Sequence, residues 1–198
     1  MKIGVLALQG AFIEHETMLK RLGVEVVEVR LPQDLDDVNG VIIPGGESTT
    51  IGKLAVQYHL IEPLRELARS GKPLWGTCAG MIFMAKAVEH EGRDQPLLGL
   101  MDVIVQRNAF GRQVDSFEAD LNIKGVDGDK PFHAIFIRAP LIESVGADVE
   151  VLARVEKDNQ DVIVAARQGN LLATSFHPEL SYDDRFHRYF LKMAGNTA

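Results

Sequence analysis

Several features that would assign the protein to a class are scarce or missing from the sequence. Cys78 is the one cysteine among 198 residues, so no disulfide can form within the chain, which fits a reducing compartment. No apolar run approaches the roughly 20 residues that a helix needs to cross a bilayer. The first apolar run, residues 3–9, has the length of a buried strand and does not extend into a signal sequence. We therefore expect a soluble, cytoplasmic protein with no membrane partner.

Basic charge is also in short supply. Lys and Arg number 21 against 28 Asp and Glu, a net charge of −7, so the chain lacks the basic surface typical of a nucleic-acid binder. The lone cysteine and six histidines show no zinc-ligand spacing. The chain has no internal repeat, low-complexity tract or linker, and its 46% hydrophobic content is that of a folded globular protein. These features predict one domain over residues 1–198 that binds neither metal nor nucleic acid.

The first half of the chain alternates short apolar runs with helical patterns. Strands are predicted at residues 3–9, 24–30, 41–44 and 74–76, and helices at 11–22, 48–57, 61–69 and 79–87. Such alternation is typical of a parallel sheet with helices on both faces. The expected fold is therefore α/β: a doubly wound, flavodoxin-like three-layer sandwich with a mostly parallel central sheet.

Strands predominate in the second half. They are predicted at residues 103–106, 117–123, 134–138, 149–155, 162–167 and 171–176, before a helix at 182–194. Polar, turn-rich segments at 125–130 and 157–161 interrupt them. This pattern predicts an antiparallel extension of the sheet.

Cys78 lies in Gly76-Thr77-Cys78-Ala79-Gly80, between a predicted strand and a predicted helix. This is the thiol form of the nucleophile elbow, in which a sharp turn lifts the nucleophile above the sheet edge and flanking glycines avoid clashes. The N–H groups that begin the following helix would favour the thiolate. A lone cysteine is more commonly a buried structural residue. Both interpretations, nucleophile and structural cysteine, are open at this point.

A nucleophilic thiol needs a base, and His177 is the histidine best placed to be one. It follows the apolar segment 171–176 and precedes Pro178, which keeps residue 177 out of helical geometry. Glu179 can then project to the same side and accept a hydrogen bond from the ring, as the third group of a triad does. A strand-to-helix turn with a capping glutamate is the alternative explanation of His-Pro-Glu.

The other histidines are given no catalytic role by their surroundings. His15 lies on the apolar face of a predicted helix and is expected to be packed or at an interface, and His133 beside a strand start is ambiguous. Those in polar surroundings are expected to be solvated: His59, His90 and His187.

The segment 44–50, Pro-Gly-Gly-Glu-Ser-Thr-Thr, can turn backbone N–H groups toward an anion or oxyanion. A helix start capped by Ser48 is one alternative, and a phosphate-binding loop is another. The phosphate loop fails, because five residues separate Gly46 from Gly52 where Walker A has four, and Leu54 stands in place of Ser or Thr.

Together and in this order, Pro44-Gly45-Gly46, Gly76-Thr77-Cys78-Ala79-Gly80 and His177-Pro178-Glu179 resemble the motifs of the class I, triad-type glutamine amidotransferases. Within that family the chain is most similar to the glutaminase subunits of pyridoxal 5′-phosphate synthase. Further matching segments run nearly from end to end: residues 6–12, 45–50, 107–113, 115–118 and 136–140.

The resemblance implies hydrolysis of L-glutamine to L-glutamate and ammonia through a glutamyl thioester, without metal or cofactor. The ammonia would pass to a partner synthase subunit that builds pyridoxal 5′-phosphate. Cys78 would be the nucleophile, His177 the acid and base, and Glu179 its orienter. The N–H groups of Gly46 and Ala79 would form the oxyanion hole. The residues implied to hold glutamine are Gly46, Glu47, Ser48, Arg107, Ile137 and Arg138.

Two other functions are compatible with parts of this pattern. A different cysteine hydrolase on a similar fold, such as a γ-glutamyl hydrolase or a peptidase-like protein, would share the elbow but has no reason to carry the segments at 45–50 and 107–108. A non-catalytic regulatory module would keep the fold, but the intact set of Cys78, His177 and Glu179 argues against it.

Overall fold

The computed structural model describes residues 1–89, 95–107, 116–126, 128–157 and 159–195. The main feature of this part of the chain is a ten-stranded mixed sheet. Its parallel strands are, in spatial order, β2 (Glu25–Val29), β1 (Lys2–Leu6), β3 (Gly40–Ile43), β4 (Leu74–Thr77) and β12 (Leu171–Thr174). This is the flavodoxin-like order 2-1-3-4-5, with β12 in the fifth position.

The sheet continues beyond β12 with largely antiparallel pairing. In spatial order the next strands are β11 (Gln160–Gln168), β9 (Leu141–Val145), β6 (Met101–Gln106) and β5 (Ala85–Val88), and β10 (Glu150–Lys157) pairs with β11. The last pair, β5 with β6, is parallel. Two further strands, β7 (Ser116–Leu121) and β8 (Phe132–Ile137), form a separate antiparallel ribbon. The predicted α/β fold with its antiparallel extension is therefore confirmed.

Helices cover both faces of the parallel strands. On one face lie α1 (Phe12–Arg21) and α5 (Arg185–Gly195), and on the other α2 (Ser48–Gln57), α3 (Ile61–Arg69) and α4 (Ala79–Met84). Alternate strand residues feed the two cores: Ile42 and Trp75 pack with α1 and α5, whereas Ile43 and Leu74 pack with α2, α3 and α4. Burial on both faces explains why these strands appear in the sequence as continuous apolar runs.

The structure differs from the sequence-based expectation at two elements and at one histidine. The helix predicted at 79–87 ends at Met84, and residues Ala85–Val88 form an edge strand instead. Strand β9 was not predicted, because its sequence Leu-Ile-Glu-Ser-Val neither alternates nor forms a continuous apolar run, and its partners β6 and β11 are distant in sequence. His187 was expected to be solvated but is fully buried, because it lies on the face of α5 that packs against the sheet.

The carboxyl ends of β1, β3, β4 and β12 meet at one edge of the sheet, where open α/β folds form their ligand crevices. Each of these strands leads into one of the segments that the sequence analysis singled out. Among the described residues, no helix is both long enough and apolar enough to span a membrane.

Candidate active site

Cys78 occupies a strained turn between β4 and α4. Its backbone has φ 50° and ψ −106°, a region that costs a non-glycine residue about 1–3 kcal/mol. The flanking glycines are required by close packing, since a Cβ at Gly76 would lie 2.5 Å from the Gly80 carbonyl and one at Gly80 would lie 2.0 Å from the oxygen of Ile43. The turn therefore has the geometry of a nucleophile elbow, with the side chain of Cys78 lining a cavity.

His177 and Glu179 follow β12 and lie beside this turn. His177 has φ −108° and ψ 82°, outside helical geometry as expected of a residue before proline. Its Nδ1 lies 2.7 Å from Oε1 of Glu179, and both side chains are buried. Since one ring nitrogen is engaged by the carboxylate, the other is left for Cys78.

The ionisation of His177 is set by its two neighbours. Burial alone would lower its pKa, but hydrogen bonds with Cys78 and Glu179, together with the negative charges of both groups, outweigh burial and raise the pKa to about 10. The geometry therefore favours an imidazolium beside Cys78, where its positive charge can stabilise the sulfur during nucleophilic attack.

The glycine loop after β3 faces the same cavity. It passes so close to His177 that a Cβ on Gly45 would lie 2.5 Å from the ring carbon Cε1. The Gly45 carbonyl accepts a hydrogen bond from the N–H of Ala11 at 2.9 Å. Oε1 of Gln9 accepts one from the N–H of Glu47 at 2.7 Å. The loop is thus held by the segment that follows β1.

Glu47 and Arg107 form a polar wall of the cavity. Glu47, and not Ser48 as the sequence suggested, caps α2, since its carboxylate accepts hydrogen bonds from the N–H groups of Thr49 and Thr50. Burial would raise the pKa of Glu47, but the hydrogen bonds from Thr50 and Thr49 outweigh it and lower the pKa to about 2. Arg107 lies 3.3 Å from the Glu47 carboxylate. The pair therefore presents a fixed anion beside a cation.

The opposite wall comes from the end of β8. The Ile137 carbonyl lies 4.0 Å from Sγ of Cys78. Arg138 is exposed, with φ 42°, and its side chain lines the cavity together with Pro140 and Leu180. A guanidinium here can bind a carboxylate through paired hydrogen bonds.

These groups surround one open cavity of about 400 Å³. Nearly all residues that the sequence analysis assigned to a site line it: Gly46, Glu47, Ser48, Cys78, Ala79, Arg107, Ile137, Arg138 and His177. Glu179 lies behind His177 and is buried. A thiol, a paired imidazole, backbone N–H groups and a guanidinium together suit acyl transfer from a small substrate that carries a carboxylate. Within the described ranges, no cluster of His, Cys, Asp and Glu has the arrangement needed to hold a metal ion.

Comparison with known proteins assigns the family. The model of the SNO glutamine amidotransferase family matches residues 5–196, nearly the whole chain. The chain belongs to this family. The expected enzyme class, a glutamine amidotransferase, is thereby confirmed, and family membership disfavours the other cysteine hydrolases considered above.

Individual relatives match the sequence of this SNO family member over nearly their full length. The pyridoxal 5′-phosphate synthase subunit PdxT of Herpetosiphon aurantiacus is 62% identical over 96% of this chain and 99% of its own. The subunit of the same name from Moorella thermoacetica is 60% identical over 98% of this chain and 100% of its own. A crystal structure of a glutamine amidotransferase superposes with a TM-score of 0.90 at 51% identity, over 98% of both chains.

Two residues near the candidate site, Gln95 and His15, were not assigned to it from the sequence. Gln95 contacts Ser48, Thr49 and Arg107, but it lies in a polar loop without a motif. His15 lies 3.4 Å from Glu179, and no sequence signal joins two such distant positions. The motif residues 108–113 and 115, and His90, lie outside the described part of the chain.

Proposed function

We propose that this chain hydrolyses L-glutamine to L-glutamate and ammonia with a triad of Cys78, His177 and Glu179. The observation that carries the proposal is the strained Cys78 turn beside a His177–Glu179 pair, at the mouth of a cavity lined by Arg138. We further propose that the ammonia passes to a synthase subunit for pyridoxal 5′-phosphate (vitamin B6) synthesis. The names of the PdxT relatives support this assignment.

In the first half of the reaction, the Cys78 thiolate attacks the side-chain amide carbon of glutamine. The electron pair of the carbonyl moves to oxygen, and the N–H groups of Gly46 and Ala79 stabilise this oxyanion. When the tetrahedral intermediate collapses, the carbon–nitrogen bond breaks and His177 gives its proton to the departing nitrogen. Ammonia leaves, and a γ-glutamyl thioester remains on Cys78.

In the second half, water replaces ammonia. The imidazole of His177, now neutral, takes a proton from water as the oxygen attacks the thioester carbon. Collapse of the second intermediate breaks the carbon–sulfur bond and releases the γ-carboxylic acid, which gives its proton to water and becomes glutamate. Thiolate and imidazolium remain, as at the start. Glu179 keeps the ring oriented through Nδ1 in both halves.

Glutamine recognition follows from the two walls of the cavity. The exposed Arg138 binds the α-carboxylate, with the backbone of Ile137 beside it. Glu47 is held as an anion by its capping bonds, so it can accept from the substrate ammonium while Arg107 keeps it in place. Gly46 and Ser48 complete this end of the site.

Arg107→Ala and Arg138→Ala should weaken glutamine binding more than they slow the reaction at saturation. Both act on the recognition end of the substrate, in the ground and transition states alike. Loss of a charge-assisted interaction should raise KM about tenfold or more, with kcat changed much less. Steady-state glutaminase kinetics over a range of glutamine concentrations measures both.

Arg69→Ala is a matched control, because Arg69 is exposed, paired with Glu62 and placed at the end of α3. It should leave KM and kcat unchanged. A large fall in kcat with unchanged KM in either Arg107→Ala or Arg138→Ala would refute the recognition role.

The synthase partner should also control activity. We propose that docking turns the Gly45–Gly46 peptide so that its N–H faces the oxyanion. In the structure the Gly45 carbonyl is bound by Ala11, and a planar trans peptide puts the Gly46 N–H on the opposite side. The partner would displace the Gln9–Gly10–Ala11 rim and release this carbonyl.

The isolated chain should therefore be a poor glutaminase, activated about tenfold or more by the synthase subunit. Gly46→Ala should block activation, because an added Cβ hinders the turn of the peptide that glycine permits at little steric cost. Ammonia release with and without the synthase subunit tests this, after a pull-down has established binding. Full activity of the isolated chain removes the case for activation by a partner.

Gly71→Ala is the control for the glycine variant. It makes the same chemical change at a positive-φ turn with open space around it, at a cost of about 1 kcal/mol, and should keep normal activation.

Assays with free glutamine and with γ-glutamyl peptides test the substrate itself. Preference for the peptides would overturn the glutaminase proposal.

A further inference from the structure

Glu179 has one carboxylate oxygen that the triad does not use. Oε1 is engaged by His177 at 2.7 Å. Oε2 is buried and makes no hydrogen bond with any described residue, but His15 Nε2 lies 3.4 Å from it, with both side chains fully shielded from solvent. A buried carboxylate oxygen without a donor is costly, so the identity of the atom facing it matters.

The protonation of His15 can be worked out from its neighbours. His15 Nδ1 lies 3.0 Å from His187 Nε2, so one of these two nitrogens carries the proton. His187 Nδ1 is buried without a partner among the described residues. A buried N–H without a partner is rarer than a bare acceptor, which places the His187 proton on Nε2.

That assignment sets the direction of the contacts in the row of side chains His187, His15 and Glu179. His187 donates from Nε2 to Nδ1 of His15, so the His15 proton must be on Nε2. There it forms a hydrogen bond with the hydroxyl of Thr77 at 3.3 Å, and Oε2 of Glu179 lies 3.4 Å from the same nitrogen. Every donor in the row then leads toward the same carboxylate, which on its other oxygen accepts from His177.

Both histidines are neutral in this arrangement, and their surroundings keep them so. Burial lowers the pKa of His15, and the nearby His187 and His177 lower it further. Burial lowers the pKa of His187 to about 3, against a smaller opposing effect of Asp184. The titratable groups facing His15 are Glu179, His177 and His187, contributed by the segment after β12 and by α5.

Packing holds both rings in place. Trp75 of β4 meets the His15 ring edge-on at 5.6 Å and the His187 ring at 5.0 Å. α1, which carries His15, lies beside the short turn Pro178–Leu180 that carries Glu179. His15 is therefore fixed on the side of Glu179 opposite His177.

We propose that His15 is a positioning residue of the active site, which holds Oε2 of Glu179 by donating from Nε2, while His187 fixes the required tautomer. The inference rests on the proposed role of Glu179 as the orienter of His177. A carboxylate held at both oxygens cannot rotate away from the imidazolium. The 3.4 Å separation is long for a hydrogen bond, and catalytic hydrogen bonds that are long in a free enzyme tighten when substrate binds.

Replacing His15 tests the proposal in the complex with the synthase subunit. His15→Leu should lower kcat about tenfold or more while KM stays within about twofold, because a loosened orienter acts on the chemistry and not on recognition. It should also move the alkaline limb of the pH–rate profile down by about one pH unit, since Glu179 would support the imidazolium less well. His15→Gln offers an acceptor to His187 and a donor to Glu179, so it should recover most of the rate and the normal pH limb.

Trp75→Phe is the matched packing control. It disturbs the contact with both histidine rings but removes no donor to Glu179, so it should leave the pH limb unmoved. Equal losses in His15→Leu and His15→Gln, with both variants folded, would overturn the proposal. So would a pH limb that moves as far in Trp75→Phe as in His15→Leu.

A measurement on the unaltered chain keeps the proposal testable if His15→Leu does not fold. Nitrogen-15 NMR of the histidine rings should find His15 and His187 neutral and protonated at Nε2. A proton on Nδ1 of His15 would overturn the proposal. The proposed function and the role of His15 can be refuted separately. Glutaminase activity in Cys78→Ala would refute the triad. An inactive Cys78→Ala together with a normal His15→Leu would refute only the role of His15.

Discussion

Replacing Cys78 with alanine should abolish glutamine hydrolysis. Without sulfur no thioester can form, and the remaining binding groups and N–H donors do not supply a nucleophile. A loss on the order of 10⁴-fold or more in kcat is expected for removal of the nucleophile of a triad. Ammonia release in the presence of the synthase subunit measures this loss, and Cys78→Ser should be nearly as inactive.

The same variants should remain folded, which separates chemistry from stability. Cys78 is small and adopts φ 50° and ψ −106°, so alanine keeps the strain. Glycine would relieve about 1–3 kcal/mol of it and lose about 1 kcal/mol through its freedom in the unfolded chain. Cys78→Gly should therefore be inactive yet at least as stable as Cys78→Ala in thermal unfolding.

A glutamine-like electrophile offers an independent test of the nucleophile. It should label the unaltered chain at Cys78 and leave Cys78→Ala unlabelled. Near-normal turnover of Cys78→Ala would end the nucleophile assignment and, with it, the proposed mechanism.

His177→Asn should be about as damaging as the loss of Cys78. Without the imidazole, the thiol has no base and the departing ammonia has no acid. The loss in kcat for Glu179→Gln should be about one to two orders of magnitude smaller than for His177→Asn, because Glu179 orients the ring and does not carry the proton. Steady-state rates of the two variants with the synthase subunit present provide the comparison.

The pH profile gives the pair of variants a second readout. Hydrogen bonding and charge from Glu179 help to raise the pKa of His177 to about 10. Glu179→Gln removes the charge, so the imidazolium should lose its proton at lower pH and the alkaline limb should shift downward. If Glu179→Gln proved as damaging as His177→Asn, with folding unchanged, the roles within the triad would need to be reassigned.

Much of the fold was predictable because it depends on local patterns. The continuous apolar runs of β1, β3 and β4 and the helical period of α3 predicted a parallel sheet covered by helices, as observed. The antiparallel extension was also foreseen. Strand β9 was not, since its pairing with β6 and β11 depends on segments far away in the sequence.

The parts of the site whose geometry lies within a few residues follow from the local sequence. The glycines around Cys78 dictate a strained turn, and Pro178 allows His177 and Glu179, two residues apart, to meet at 2.7 Å. Short-range steric rules suffice for both, because the neighbouring backbone alone limits the conformation.

The distant groups that support these motifs are set by long-range packing. His15 and His187, 172 residues apart, meet at 3.0 Å behind Glu179 because α1 and α5 pack on the same face of the sheet. Arg107 reaches Glu47 across 60 residues, and Glu47 replaces Ser48 as the cap of α2. Such contacts depend on how strands and helices pack together. Burial then keeps His15 and His187 neutral, whereas hydrogen bonds from Thr50 and Thr49 keep Glu47 charged.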